Sequence, residues 1–531
     1  MAKHTHFTVD GKPFYSLGGQ VQNTSGYAPK DLERGLAAVH AVGGNTIAVP
    51  VYWELIEPEE GVYDLSSVGE VVQACREEGL KLILLWFGTW KNGTMKYAPP
   101  YVKADPDRFC RVINEQGERT AVLSSHCKAN FDADKAAFCE LMAYLRDLDG
   151  VEKTVIAVQV ENEPGILGGA SRDWSPLGDA AMAEPVPAAL IAYIQARGCG
   201  PVYDVWQGNG AKEAGNWEAV FGDHACEYMT AWSICHYIDA IAAAGKEIYD
   251  ILMYVNVWLD HNLWNLPGKC VLSGGAVCRV LDIWKCGTRA IDLIAPDNYK
   301  ADLETYEEVM DFYTRDDNPF YIPESGNTPS NILGIFRCVA ERASIGNHIF
   351  GIEKVIREDG SDEPRMLPIT KSLRMLSSVL PLINCYTGTG RIYAMLQNPG
   401  MESRRLDLGD WMVLCEFGKD GRPTDYLHVD DRNRPDDPGR GLIFQVGDNE
   451  FYLVGDAVRY HFNRKIKRGR IPQLMMSHDQ QDASVNYAVC TEGRFDEDGR
   501  FVVNRHRNGD ENDFGIWLSQ DVGVVHIQLT D

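Results

Sequence analysis

Val155-Ile156-Ala157-Val158-Gln159-Val160-Glu161-Asn162-Glu163-Pro164-Gly165 sets a run of branched apolar residues directly against two carboxylates and then breaks it with Pro-Gly. A near-continuous apolar run of this kind suits a strand covered on both faces, as in a parallel sheet flanked by helices. Polar residues gathered at its C-terminal end are what the working edge of such a sheet carries. Outward from this stretch the pattern recurs. The runs Phe14 to Val21, Thr46 to Tyr52, Lys81 to Phe87, Thr154 to Val160, Ile251 to Trp258, Ile291 to Ala295, Pro319 to Ile322 and Gly346 to Ile352 are strand candidates. Helical spacing lies between them, as in Pro29 to Val42 with Leu32, Leu36, Val39 and Val42 on one face, or Cys226 to Ala244. Eight such β/α pairs predict an α/β fold of the (β/α)8 TIM-barrel class.

Two intervals exceed a minimal barrel. Ala104 to Gly150 carries a loop and a helix, and roughly 90 residues separate the fourth and fifth runs, too many for one crossover. An insertion over the C-terminal face is therefore expected between strands four and five. Beyond the helical stretch Leu367 to Ile383, turns rich in Gly, Asp and Arg punctuate short strand candidates: Asp410 to Phe417, Gly441 to Val446, Glu450 to Val454, Asn486 to Thr491 and Gly523 to Leu529. That texture predicts a separate all-β sandwich or jelly roll. The expected division is a barrel over residues 1–375 and a β module over 376–531.

Composition narrows the partners. Lys and Arg total 51 against 76 Asp and Glu, a formal net charge of −25 in 531 residues. Such a field repels phosphate backbones and anionic lipid, so neither nucleic acid nor a membrane is the expected partner; a neutral substrate suits the chain, and self-association stays open. The 14 cysteines form no C-x-x-C pair or zinc-finger spacing, so no metal and no cofactor is signalled. Met1 to His6 holds no apolar h-region and no later run approaches ~18 apolar residues, which makes the cytoplasm the expected location.

Strand seven ends in Tyr321-Ile322-Pro323-Glu324-Ser325-Gly326-Asn327, a second acidic strand end. Carboxylates after strands four and seven of one barrel can face each other across a substrate, as double-displacement glycoside hydrolysis requires. One must be neutral to protonate the leaving oxygen, and the other ionised to attack the anomeric carbon. Strict alternation along a strand would point Glu161 and Glu163 the same way, so spacing does not choose between them.

These residues resemble a known group. Asn-Glu ending strand four with Glu ending strand seven is the pattern of clan A glycoside hydrolases, and Gln159-Val160-Glu161-Asn162-Glu163 is similar to the family 35 β-galactosidase strand. Tyr52-Trp53-Glu54-Leu55-Ile56-Glu57-Pro58-Glu59-Glu60-Gly61-Val62-Tyr63-Asp64 resembles the W…EP..G.YD motif shared by families 35 and 42. Tyr97 to Lys103, Ala295-Pro296-Asp297-Asn298-Tyr299 and the C-terminal β module add to the resemblance, the module being that of a bacterial subgroup of family 35. It implies that Glu163 is the acid/base, that Asn162 binds the sugar 2-hydroxyl, and that Glu324 is the nucleophile, oriented by Tyr299. Strand one departs from the family: it reads Gly18-Gly19-Gln20-Val21-Gln22-Asn23 where most members have His-Tyr, and Pro164 replaces an aromatic.

The expectation is a retaining exo-β-glycosidase, a β-galactosidase first. β-Glucosidase or β-glucosyl transglycosylase activity and a catalytically silent sugar-binding barrel are the alternatives. Trp53, Trp90 and Trp258, with Trp86 and Trp264, are candidate stacking surfaces for a sugar ring. Glu161, Asn23 and the pair Lys91-Asn92 are candidate hydroxyl partners, and Glu57 either contacts a sugar hydroxyl or locks the strand-two loop. Asp297 reads as structural, and His261 as an ordinary hydrogen-bonding residue.

Overall fold

The computed structural model describes residues 3–27, 29–259, 266–418, 436–465, 485–507, 509–512, 515–519 and 522–530. Eight parallel strands form one sheet: β1 (Ser16–Gln20), β2 (Thr46–Tyr52), β3 (Lys81–Lys91), β4 (Val155–Asn162), β5 (Leu252–Val257), β6 (Leu293–Pro296), β7 (Tyr321–Ile322) and β8 (Gly346–Phe350). They lie in the order β6-β5-β4-β3-β2-β1-β8-β7. A parallel bridge between Asn298 and Ser325, with Asn298 N–H donating to the Glu324 carbonyl at 2.9 Å, joins the two ends into a barrel. The fold is thus a TIM barrel. Its strands are buried along nearly their whole length, which is why branched apolar residues dominate them.

Strand β1 shows why glycine stands where a larger residue might. A Cβ on Gly18 would lie 1.8 Å from the Thr46 carbonyl oxygen, and one on Gly19 would lie 2.7 Å from Ile352 Cβ. The Gly-Gly pair lets β1 press against its neighbours, and no side chain can enter the barrel mouth from those positions.

Strand β3 continues past the expected Phe87 to Lys91. A register shift after Trp86 lets it go on pairing with β4, so that Lys91 comes to stand opposite Asn162. Between β3 and β4 lie an antiparallel pair, Arg111–Ile113 with Arg119–Leu123, and the helix Lys128–Asp149. Between β4 and β5 come the helices Pro176–Ala183, Ala188–Arg197, Pro201–Gly208 and Trp217–Phe221 before the long crossover helix Ala225–Ile248. Ser175 and Asn216 cap two of them by accepting from Gly178 and Ala219 N–H.

Residue 375, the expected end of the barrel region, falls inside the helix Leu367–Ser378, and the first strand after it begins at Ile392. From Ile392 onward the chain builds an antiparallel sandwich. The strands are β9 (Ile392–Leu396), β10 (Ser403–Leu408), β11 (Trp411–Phe417), β12 (Arg440–Gln445), β13 (Glu450–Asp456), β14 (Val458–Arg464), β15 (Tyr487–Phe495), β16 (Phe501–His506), β17 (Ile516–Leu518) and β18 (Val524–Leu529). One sheet runs β9-β12-β13-β18-β15-β16 and the other β10-β11-β14-β17. Trp411, Val413, Cys415 and Phe417 alternate inward from β11 to meet Ile443, Leu453, Val525 and Ile527. On the opposite face of the larger sheet, Leu396, Leu442, Phe444, Val454 and Val524 belong to the same core as the barrel helices. Arg440 is fully buried at this junction, donating to Ser372 Oγ at 2.7 Å and the Pro368 carbonyl at 2.9 Å. Among the described residues no helix is long and apolar enough to cross a membrane.

Candidate active site

The C-terminal ends of the barrel strands surround a cavity of about 300 Å³. Glu163, Glu324, Lys91, Asn92, Asp297 and Tyr299 line it together with Asn23, Trp258, Leu259, Lys300 and Phe350.

The end of β4 sorts its two carboxylates by backbone conformation. Glu161 and Glu163 both have left-handed φ angles, 67° and 44°, in a place where glycine would be at ease. The alternation expected from strand geometry is thereby broken, and the two side chains go different ways. Glu161 turns to β3, where its carboxyl accepts from Thr89 N–H at 3.2 Å and Trp90 N–H at 2.6 Å. Beside it Asp134 accepts from Trp86 Nε1 at 2.9 Å and Thr89 Oγ1 at 2.6 Å, with the Tyr237 hydroxyl at 3.3 Å. Burial drives both acids up, and the neighbouring Asp134 carboxyl pushes Glu161 further in the same direction. Glu161, expected to contact substrate, is a structural anchor for the end of β3 and does not line the cavity.

That anchor places Lys91 and Asn92. Lys91 Nζ donates to Asn162 Oδ1 at 2.6 Å, and Asn92 Nδ2 donates to Glu163 Oε2. Burial pulls the Lys91 ammonium down, while Glu324, Glu163 and Asp297 draw it back up. The Glu163 backbone N–H donates to Asn256 Oδ1 at 2.7 Å, which fixes the orientation of that amide; Asn256 Nδ2 then donates to Asp297 Oδ2 at 2.8 Å. Across the cavity Tyr299 O–H donates to Glu324 Oε2 at 2.7 Å.

Burial first, and the Glu324 charge second, push the Glu163 carboxyl up to about 7, against the opposing pull of Lys91 and of hydrogen bonds from Asp297 and Asn92. A carboxyl poised there can give and take a proton near neutrality. Asp297, read from the sequence as structural, is held well above the usual carboxylate range by burial and by Glu324 and Glu163, and it stands in the cavity wall. Buried polar atoms here without a partner among the described residues include Asn23 Oδ1 and Glu324 Oε1 in the cavity wall and Asn162 Nδ2, whose residue does not itself line the cavity. Leaving such atoms unpaired is costly, and hydroxyls of a bound sugar would satisfy them.

Several expected contacts lie elsewhere. Trp53 is fully buried and donates from Nε1 to Glu57 Oε2 at 2.8 Å, while Glu57 Oε1 accepts from Gly61 N–H at 2.8 Å. The pair latches the loop after β2, and neither residue lines the cavity. Trp90 is buried edge-on against Tyr237, their ring centres 4.9 Å apart, and Trp86 is spent on Asp134. Trp258 and Asn23 do line the cavity. Trp264 and His261 lie outside the described residues. Asn256, Lys300, Leu259 and Phe350 were not expected; each is a single residue at or after a strand end, with no motif to mark it. Among the described residues no group of three or more His, Cys, Asp or Glu is arranged to hold a metal ion.

Comparison with known proteins adds three kinds of similarity. Residues 369–519 match a family described as a domain of unknown function, DUF5597. A segment of 85 residues, 15% of this chain, is 35% identical to a β-galactosidase from Xanthomonas manihotis, and it spans only 14% of that relative's length. Similar solved structures include the catalytic domain of a β-amylase from Paenibacillus polymyxa, at 14% identity and a TM-score of 0.45, covering 68% of this chain and 97% of that one. They also include the β-galactosidase of Bacillus circulans sp. alkalophilus, at 13% identity and a TM-score of 0.47, covering 71% of this chain and 57% of that one. The β-galactosidase of Rahnella sp. R3 has 15% identity and a TM-score of 0.47, covering 73% and 58%.

Proposed function

We propose that the chain is a retaining exo-β-glycosidase that removes a terminal β-linked hexose, galactose first, from a small neutral glycoside. The observation that carries this reading is the pairing, in one cavity, of Glu163, a carboxyl poised to hold a proton near neutrality, with Glu324, a carboxylate oriented by Tyr299 through one oxygen and left without a partner at the other. The β-galactosidase similarity of the 85-residue segment and the sequence resemblance to family 35 favour the same sugar.

The chemistry follows from those groups. Glu324 attacks the anomeric carbon through its unpartnered oxygen while Glu163 protonates the departing oxygen. The bond to the leaving group breaks as the ester to Glu324 forms. Water then enters, gives its proton to Glu163, and displaces Glu324. Asn162, held by Lys91, presents an unpartnered amide N–H suited to a sugar hydroxyl. At about 300 Å³ the cavity is at the small end of ligand pockets, which suits one terminal sugar better than a polymer.

The test is stereochemical. Glu163→Ala with azide should release the β-glycosyl azide, and Glu324→Ala with azide the α-anomer, from an activated aryl β-galactoside. Unchanged turnover in either variant would overturn the assignment. The strand-one departure leaves Asn23 as the contact from that side, so aryl β-glycosides differing only at C4 and C6 should be compared in the same assay to report galacto against gluco preference.

A further inference from the structure

Asp297 has no part in the two-carboxyl scheme, yet its side chain stands against the acid/base. We propose that Asp297 is a neutral, proton-holding partner of Glu163, a positioning residue whose carboxylic O–H donates to the Glu163 carboxylate. This rests on the reading of Glu163 as the acid/base given above.

The geometry sets the direction of that hydrogen bond. Asn256 is oriented by the Glu163 backbone N–H, so its Nδ2 faces Asp297 Oδ2, and that oxygen is an acceptor. Oδ1 is the oxygen with no other partner, and Asp297 and Glu163 hydrogen-bond one another. Two carboxyls in that contact must share at least one proton. Glu163 already accepts from Asn92, whereas Asp297 Oδ1 accepts from nothing among the described residues. The proton therefore sits on Asp297 and points to Glu163. The other titratable groups facing the pair are Glu324, Lys91 and the phenols of Tyr299, Tyr254, Tyr313 and Tyr321; burial raises the four phenols and keeps them neutral.

The arrangement balances charge through the reaction. Before glycosylation Lys91 carries a positive charge and Glu324 a negative one, with Glu163 and Asp297 both protonated. Glu163 then loses its proton to the leaving oxygen as Glu324 becomes a neutral ester. The negative charge has moved from Glu324 to Glu163, where the Asp297 O–H and the Asn92 N–H receive it. When water attacks, Glu163 regains a proton and Glu324 its charge. Asp297 keeps its proton throughout.

The pH profile of kcat tests this, because the two ionisation states of Asp297 shift the alkaline limb in opposite directions. Asp297→Asn replaces one neutral donor by another of the same shape, so its alkaline limb should stay where the wild-type limb lies. Asp297→Leu removes the donor, and the limb should move up by about 1 to 2 pH units. A limb that moves down in Asp297→Asn would show an ionised Asp297 and overturn the proposal, as would a limb unmoved in Asp297→Leu. An infrared difference spectrum of wild type against Asp297→Asn at pH 8 should show the loss of a protonated carboxyl band; its absence counts equally against the idea. Assignment of the limb to Glu163 is checked separately: it should vanish in Glu163→Ala assayed with an activated leaving group. Persistence there would refute the role of Glu163, whereas the infrared result bears on Asp297 alone.

Discussion

Glu161→Gln separates two carboxylates that are one residue apart. Glu161 accepts from two backbone N–H groups and pairs with Asp134 away from the cavity. Glutamine keeps one acceptor oxygen and offers Asp134 an N–H, so one buried N–H loses its partner, at a cost of about 1 to 3 kcal/mol. The pH dependence is more telling. A carboxyl raised in the folded state binds a proton that the unfolded chain has released, so wild-type stability falls as pH rises above the usual carboxylate range. Glutamine removes that proton. The deficit of the variant should therefore shrink as pH rises, by at most about 1.4 kcal/mol per pH unit while the wild-type pair keeps its proton. Denaturant unfolding of both proteins at pH 6, 7 and 8 measures this. In the same preparations Glu161→Gln should keep turnover within a few-fold, while Glu163→Gln loses about 10²- to 10⁴-fold on poor leaving groups. A pH-independent deficit, or an equal loss of turnover in folded Glu161→Gln, would refute the reasoning.

Tyr299→Phe removes the 2.7 Å hydrogen bond to Glu324 and should lower kcat/KM about 10- to 100-fold on an aryl β-glycoside. In Lys91→Met, Glu163 loses a charge that pulls it down, so the alkaline limb of kcat should rise. The same variant frees Asn162, and should narrow the rate difference between substrates with and without a 2-hydroxyl. Trp258→Ala should raise KM more than it lowers kcat, as initial-rate curves would show. Because the proposed steps use only side chains and water, activity should survive dialysis against a chelator.

The barrel was legible because eight branched apolar runs, each cut by a turn, leave a buried parallel sheet as the economical arrangement. Strand ends carrying Glu163 and Glu324 pointed to the cavity for the same reason: polar residues after such runs have nowhere else to gather. Glu161 was not legible. Its left-handed backbone breaks the strand's alternation, and alternation alone gives the opposite orientation. Trp53 and Glu57 left two readings open in the sequence, since a loop latch and a sugar contact use the same residue types. Asp297 read as structural because a lone Asp carries no sign of the carboxyl it will face. Leu259, Lys300 and Phe350 come together only through the closure of the barrel.

The sandwich sheet that shares Leu396, Leu442, Phe444, Val454 and Val524 with the barrel helices has a consequence for how the protein can be taken apart. A module tethered by a linker can be cut away and the remainder assayed. Here the cut would strip the cover from a common core and leave Ser372 and Pro368 facing water where Arg440 had been. The two architectures should therefore melt as one unit, and shortened versions of the chain should precipitate before their chemistry can be compared.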